Sequence, residues 1–177
     1  MPVDSKYQMD SACLSELERL IEWALREDLG DIGDVTTQAT IPEKASIASI
    51  IAKSEGVVCG TEAVRLTFAR LDPNVQAHFL KADGERAARG DKIAQIVGPA
   101  ESILTGERTA LNFLQRLSGI STLTSKFVEQ LDGATTRLLD TRKTTPGWRH
   151  LEKYAVRCGG GSNHRVGLFD MFLIKEN

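Results

Sequence analysis

The chain has 177 residues, a hydrophobic fraction of 41% and a formal net charge of −2. This length fits one domain, or a small domain followed by part of another, and the apolar fraction is sufficient for a buried core. The near-neutral net charge excludes any function argued from overall attraction to nucleic acid or to an acidic membrane.

The cysteines and the apolar runs bear on the compartment. Cys13, Cys59 and Cys158 are isolated, with no CxxC pair and no Cys/His spacing suited to zinc, so we interpret them as reduced thiols. No apolar run approaches the roughly 18–20 residues of a membrane span, and the N-terminus has no apolar signal-peptide core. We therefore expect a soluble protein of the cytoplasm that has no membrane or nucleic-acid partner.

The first part of the chain predicts one long helix followed by short elements. The helix begins at Ser11, because Leu14, Leu17 and Ile21 recur at helical spacing, and Gly30 lies at the expected C-cap. The other predicted elements are a loop at 31–42, strands at 45–53, 74–81 and 92–97, and a helix at 61–71.

A long helical stretch is predicted from Glu101 to about Leu131, with a break at Ser118-Gly119. Arg108 falls outside the apolar side of this helix, and on its own it would be interpreted as a surface arginine. The apolar side is formed by Ile103, Leu104, Ala110, Leu111, Leu114 and Leu117.

The last part of the chain predicts a strand, a helix and a second strand. The strands are expected at 136–140 and 171–174, and the helix runs from about Trp148 to the glycines at 159–161. A βαβ unit of this kind implies parallel pairing of its two strands.

Polar residues follow each of these two strands. Asp140 to Lys143 follow the first strand and Lys175 follows the second, and in parallel α/β proteins active sites form where strands end. Arg142 can bind a carboxylate through two hydrogen bonds, whereas Lys143 offers a point charge. A lysine such as Lys175 is costly to desolvate without an anionic partner. The alternative is a structural ion pair between Asp140 and Arg142.

Positive charge is concentrated near the end of the chain. Residues 142–175 contain seven Arg and Lys against two Asp and Glu, a net charge of +5. The glycines at 159–161, next to His164 and Arg165, can form an anion-binding nest of backbone N–H groups, although a plain linker is equally compatible with them. We interpret Arg149, Lys153 and Arg157, which are spaced four residues apart, as a solvated helix face.

Five segments of the chain carry recognisable motifs, namely GDVTT at 33–37, GERTALN at 106–112, LSGIST at 117–122, DTRKTTPGWRHLEKYAVRCGGGSNHRVGLFD at 140–170 and LIKEN at 173–177. Together these segments resemble the quinolinate phosphoribosyltransferase family. Trp148 stands where leucine is usual in that family.

The resemblance implies both a fold and an activity. The fold is α/β, with an N-terminal α/β sandwich domain at 1–117 and, at 118–177, the incomplete beginning of a parallel α/β barrel. The activity is phosphoribosyl transfer from PRPP to quinolinate with decarboxylation, which yields nicotinate mononucleotide, pyrophosphate and CO₂ for NAD biosynthesis. The resemblance also implies a homodimer in which Arg108 reaches the neighbouring site.

The same resemblance implies the residues of the site. Lys143 and Lys175 would be catalytic, and Mg²⁺ is expected as a cofactor bound by residues outside this chain. Because family members are longer, the 177-residue chain alone is expected to be inactive. The substrate-binding residues would be Arg108, Thr141, Arg142, Lys143, His164, Arg165 and Lys175.

Two alternatives stay open at this point. The chain can be a non-catalytic truncated paralogue that dimerises with a full-length enzyme, or a related transferase that uses a different aromatic acid. Nucleic-acid binding through the basic window is the weakest hypothesis, because aromatic residues are few there.

Overall fold

A computed structural model describes residues 7–42, 44–131, 135–174 and 176 as an α/β protein, which confirms the predicted class. The helices are α1 (Ser11–Leu29), α2 (Val35–Thr40), α3 (Thr61–Leu71), α4 (Ala100–Glu129) and α5 (Arg149–Cys158). The strands are β1 (Ala45–Ile51), β2 (Gly56–Val57), β3 (Gln76–Phe79), β4 (Arg86–Ala87) and β5 (Lys92–Pro99).

The larger sheet is antiparallel and has the strand order β1-β5-β3. Ile96 in the central strand β5 lies opposite Ala48 of β1 and Ala77 of β3, and its side chain is buried. The short strands β2 and β4 form a second antiparallel pair. The three longer predicted strands are therefore confirmed, with ends that differ by two residues from the expectation.

The predicted first helix and its C-cap are also confirmed, and the structure adds an N-cap. The Asp10 carboxylate accepts a hydrogen bond from the Cys13 N–H at 2.8 Å, which satisfies one of the free donors at the start of α1. Gly30 ends the helix with a positive φ of 52°, and its N–H donates to the Arg26 carbonyl.

Two hydrophobic clusters share the long helix α4. The first lies among α1, α3, α4 and α5, and the second lies between the larger sheet and the helices α3 and α4. The first includes Cys13, Leu17, Leu20, Ile21, Leu25, Cys59, Ala63, Phe113, Leu117, Leu151, Tyr154, Ala155 and Cys158. The second includes Val58, Val64, Phe68, Val75, Ala87, Ile93, Ala94, Ile96, Ile103, Ala110 and Leu114.

Two predictions about the middle of the chain are wrong. The predicted loop at 31–42 contains α2, and at its start the Asp34 carboxylate accepts a hydrogen bond from the Thr37 N–H. The predicted break at Ser118-Gly119 does not occur, since α4 continues through both residues. Leu117 and Ser121 on either side are fully buried, so packing outweighs the cost of about 1 kcal/mol for a helical glycine.

The predicted βαβ pairing near the C-terminus is wrong for the described residues. Residues 136–140 contribute one parallel bridge, between Leu139 and Ser162, and residues 171–174 form no strand. Phe172 and Ile174 are 98% and 93% exposed. A strand requires a hydrogen-bonding neighbour, and neither segment has one along its length.

No helix formed by the residues described above is long and apolar enough to cross a membrane. The predicted domain boundary after residue 117 stays a prediction. Helix α4 passes through this position without interruption.

Candidate active site

The predicted site residues belong to two loops on either side of α5. We call residues 140–148 the threonine loop and residues 159–165 the glycine loop. The Ser162 N–H donates to the Leu138 carbonyl at 2.9 Å, and the Asp140 N–H donates to the Ser162 carbonyl at 3.1 Å. These two backbone hydrogen bonds hold the start of the threonine loop beside the glycine loop.

Asp140 is the main polar contact between the two loops. Its Oδ1 accepts hydrogen bonds from Lys153 Nζ at 2.5 Å and from the His164 N–H at 2.8 Å. Its Oδ2 accepts from Asn163 Nδ2 at 2.6 Å. In the described part of the chain Asp140 therefore pairs with Lys153, and the alternative ion pair with Arg142 is not formed.

The solvated helix face predicted on α5 is wrong. Lys153 is only 3% exposed. Arg149 is half-buried and donates to Thr144 Oγ1 and to the Val166 carbonyl, both at 3.1 Å. Arg157 lies over the Tyr154 ring at 5.5 Å from its centroid. These cations pack against the loops and a buried ring, so α5 is covered where solvent was expected.

The other end of the threonine loop is attached to α4 and α5. Arg116 donates to Thr145 Oγ1 at 2.5 Å and to Glu152 Oε1 at 2.7 Å. The Arg116 guanidinium also lies 5.3 Å from the centroid of the Trp148 ring, which stacks on Phe113 at 5.0 Å. The threonine loop is therefore fixed before and after its central residues.

Those central residues have few contacts within the chain. The Lys143 N–H donates to Thr141 Oγ1 at 3.0 Å, which shapes the turn, while the Lys143 side chain borders an open depression beside Arg116. Arg142 is half-buried, and its Nε has no hydrogen-bond partner among the described residues. A shielded donor without an acceptor is costly, and Arg157 Nε on α5 is in the same condition.

The glycine loop sets the position of His164 and Arg165. The Arg165 N–H donates to His164 Nδ1 at 2.7 Å, which assigns Nδ1 as an acceptor. Arg165 also donates to the Met171 carbonyl at 3.0 Å. The contacts of Asp140 bring the backbone of His164 beside the start of the threonine loop.

The glycines serve packing, and the predicted anion-binding nest is wrong. The Gly160 N–H donates to the Arg157 carbonyl and the Gly161 N–H donates to the Val156 carbonyl, so these donors close the end of α5. Gly160 has a φ of +87°. A Cβ on Gly159 would lie 2.6 Å from Thr124 Cβ, so α4 and α5 approach closely there.

The remaining predicted site residues are Arg108 and Lys175. Arg108 is exposed on α4 and borders a hollow of about 300 Å³ beside Trp23, Asp28 and Trp148, the last residue of the threonine loop, but no hydrogen bond or ion pair among the described residues joins it to either loop. Lys175 lies outside the described residues.

The carboxylates of residues 140–170 do not fit a Mg²⁺ site. Asp140 and Glu152 accept hydrogen bonds from side chains and backbone of this chain. Asp170 accepts from the Val166 and Gly167 N–H groups at 2.7 and 2.8 Å, and these bonds lower the pKa of its carboxyl group. Each acidic group is therefore already committed to the local fold.

One buried group among the described residues has the composition of a metal site. The ligand atoms of Cys59, Asp83 and Cys158 lie within 4.8 Å of one another. Asp83, however, accepts from the N–H groups of Gly60 and Thr61 and from the Tyr154 hydroxyl. Burial raises the pKa of the Cys59 thiol well above its ordinary value, which favours the protonated thiol. We interpret this group as part of the core.

Family models match both parts of the chain. Residues 34–118 match "Quinolinate phosphoribosyl transferase, N-terminal domain", and residues 120–177 match "Quinolinate phosphoribosyl transferase, C-terminal domain".

Two curated relatives show the extent of the similarity. The chain is 48% identical over 162 residues to the probable nicotinate-nucleotide pyrophosphorylase (carboxylating) of Bacillus subtilis, a match that covers 92% of this chain and 56% of that protein. It is 47% identical over 163 residues to quinolinate phosphoribosyltransferase (decarboxylating) 1b of Nicotiana tabacum, covering 92% and 46%. The chain thus spans about half the length of these relatives.

Solved structures agree with the same comparison. The nicotinate-nucleotide pyrophosphorylase from Francisella tularensis has a TM-score of 0.90 and 41% identity, and the match covers 98% of this chain and 62% of that one. NadC from Streptococcus pyogenes has a TM-score of 0.87 and 40% identity, covering 92% and 59%.

Proposed function

Because the chain belongs to the quinolinate phosphoribosyltransferase family, we propose that the whole protein transfers the phosphoribosyl group of PRPP to quinolinate. The products are nicotinate mononucleotide, pyrophosphate and CO₂, in a step of NAD biosynthesis. The observation that carries this proposal is that hydrogen bonds of Asp140 and Ser162 hold together two loops that carry Arg142, Lys143, His164 and Arg165. Arg142 lies in a locally basic window of the sequence.

The residues of the two loops suit a dianionic aromatic acid. Arg142 and Arg165 can each bind a carboxylate through two parallel hydrogen bonds, and His164 Nε2 can donate a further one. Lys143, exposed at the edge of the threonine loop, adds a point charge that draws in the anion. Quinolinate and PRPP are both anionic, so several fixed cations are needed to bring them together.

The chemistry then needs little more than orientation. The ring nitrogen of quinolinate attacks the ribose carbon that bears pyrophosphate, and pyrophosphate leaves with the electron pair of the broken bond. The glycosylated ring nitrogen is cationic, so it stabilises the electron pair left on the ring when the adjacent carboxylate departs as CO₂. A proton then replaces the lost group. Held cations contribute by fixing the two reactants in line and by stabilising the developing charge.

We extend the proposal to a homodimer in which Arg108 enters the neighbouring site. Its exposure supports this role, because no hydrogen bond or ion pair among the described residues engages it within its own chain. Mixing Arg108→Ala and Arg142→Ala subunits tests it, because a mixed dimer then has one intact site. Recovered turnover on mixing two weak variants is expected, and no recovery would place Arg108 in its own subunit's site.

Mg²⁺ belongs to the proposal for the whole protein only. When bound, it would neutralise the pyrophosphate of PRPP. The three free, buried cysteines support a reducing compartment such as the cytoplasm.

The test is turnover by the full-length protein that contains this sequence. With quinolinate and PRPP we expect pyrophosphate release matched by nicotinate mononucleotide, whereas nicotinate in place of quinolinate should react far more slowly. Turnover with another aromatic acid would reassign the acceptor, and no reaction with any acid would overturn the proposal. The 177-residue polypeptide expressed alone is expected to release no pyrophosphate.

A further inference from the structure

Lys153 on α5 is a buried lysine that the proposed chemistry does not use. Its side chain is 4% exposed and that of its partner Asp140 is 8% exposed. Its Nζ lies 2.5 Å from Asp140 Oδ1 and 2.9 Å from the carbonyl oxygen of His164. This ammonium group therefore binds the first residue of the threonine loop and a predicted ligand of the glycine loop.

Further hydrogen bonds join Asp140 and Lys153 to Asn163 and His164 of the glycine loop. The His164 N–H donates to Asp140 Oδ1 at 2.8 Å, and Asn163 Nδ2 donates to Asp140 Oδ2 at 2.6 Å. Asn163 Nδ2 also donates to the Lys153 carbonyl at 2.9 Å. The amide and the carbonyl of His164 are thus both held by the Lys153–Asp140 pair.

The constraint extends to the imidazole. The Arg165 N–H donates to His164 Nδ1 at 2.7 Å, so the backbone that the pair holds also orients the ring. The result is a chain of contacts from Lys153 through Asp140 and the His164 backbone to the imidazole of His164.

Stability alone is a weak reason for such a pair. Burying two charges costs several kcal/mol of desolvation, and apolar residues of similar size often serve a fold equally well. A fixed ion pair instead provides geometry, because its hydrogen bonds have defined directions. It also leaves no net charge at this position, so the attraction of Arg142 and Arg165 for an anion is preserved.

We propose that Lys153 and Asp140 form a positioning pair, which contacts no substrate and sets His164 and Arg165 for the carboxylates of the acceptor. This inference rests on the proposed function, and it adds two residues that act through the glycine loop.

The test compares Lys153→Met with Lys126→Met, an exposed lysine on α4, in the full-length protein. For Lys153→Met we expect a quinolinate affinity about 10- to 100-fold weaker by calorimetry, with PRPP affinity within about twofold of wild type. In the unliganded protein the ¹⁵N resonances of the His164 imidazole should shift. Lys126→Met should change none of these quantities.

A second variant covers the case in which Lys153→Met does not fold. Asn163→Ala removes only the hydrogen bonds that Asn163 Nδ2 donates to Asp140 and to the Lys153 carbonyl. We expect about a 3- to 10-fold loss of quinolinate affinity with the same resonance shift. Equal losses for quinolinate and PRPP, or unchanged affinity with unchanged imidazole resonances, would overturn the positioning role. If wild type does not bind quinolinate, the proposed function fails instead, while the imidazole resonances still decide whether the pair orients His164.

Discussion

Arg116 on α4 and Glu152 on α5 form an ion pair at 2.7 Å, and both side chains also bind Thr145. Arg116 is 46% exposed and Glu152 is 14% exposed, so solvent screens the pair and its direct contribution to stability is about 0–1 kcal/mol. Its larger effect is geometric, because it attaches the threonine loop to two helices of the first core cluster.

Glu152→Gln should loosen the threonine loop more than it destabilises the fold. The substitution removes the negative charge that binds both Arg116 and the Thr145 N–H, the latter at 3.3 Å. We expect faster hydrogen exchange at the Thr145 amide and a loss of unfolding free energy below about 1 kcal/mol. Glu107→Gln, an exposed glutamate on α4, is the control. Unchanged exchange at Thr145 would mean that the loop is held by other contacts.

Arg142→Ala should weaken quinolinate binding far more than it affects folding. Since Nε has no hydrogen-bond partner among the described residues, the substitution removes no hydrogen bond that Nε makes with the fold. We expect a loss of about 2–4 kcal/mol in binding free energy, roughly 30- to 1,000-fold, measured by calorimetry on the full-length protein. Arg137→Ala, an exposed arginine just before the loop, should bind as wild type does. A similar affinity for both variants would remove Arg142 from the site.

The two tryptophans offer a matched test of packing. Trp148 stacks on the buried Phe113 at 5.0 Å with an interplanar angle of 17°. We expect Trp148→Leu to lower the free energy of unfolding by about 1–2 kcal/mol, measured by urea denaturation. Trp23 is 60% exposed, so Trp23→Leu should cost less than about 0.5 kcal/mol. Equal effects would show that the Trp148 stack adds nothing, as expected if leucine packs equally well there.

The sequence predicted the elements whose signals are local. Helix α1 was predicted from apolar spacing and a glycine C-cap, and both are properties of neighbouring residues. The predicted break in α4 at Gly119 is wrong because contacts with residues distant in the sequence keep the helix continuous. One of them is the hydrogen bond that Ser121 Oγ donates to the Ala155 carbonyl of α5 at 2.7 Å. The predicted strand at 136–140 is wrong for a similar reason, because a strand forms only beside a neighbouring segment that hydrogen-bonds along its length.

The site was predicted as a set of residues, but its supporting contacts were not. Arg142 and His164 were identified from the family resemblance, and their roles stay predictions. Lys153 is spaced four residues from Arg149 and from Arg157, which is also the pattern of a solvated helix face. Nothing in the sequence indicates that Asp140 lies against Lys153. Arg116 likewise carried no local signal, because its partner Glu152 is 36 residues away.

Two glycines should respond oppositely to alanine. A Cβ on Gly119 in α4 meets nothing within 4 Å, so Gly119→Ala should raise the free energy of unfolding by about 0.5–1 kcal/mol. A Cβ on Gly159 would collide with Thr124, so Gly159→Ala should lower it by about 1–3 kcal/mol. Urea denaturation of both variants measures the difference. A neutral Gly159→Ala would mean that α4 and α5 can separate at little cost.

The turn at 166–170 should open in acid because of Asp170. Hydrogen bonds from the Val166 and Gly167 N–H groups hold the pKa of this carboxyl group below its ordinary value of 3.8. A lowered folded pKa gives stabilisation that is present above the ordinary value and is lost as pH falls through the folded value. We therefore expect hydrogen exchange at these two amides, corrected for intrinsic rates, to lose protection only below about pH 4. Asp170→Asn keeps an acceptor oxygen without the charge, so its protection should be weaker and independent of pH. Protection in the wild type that does not change down to the acid unfolding of the whole chain would show that the turn does not depend on the charge of Asp170.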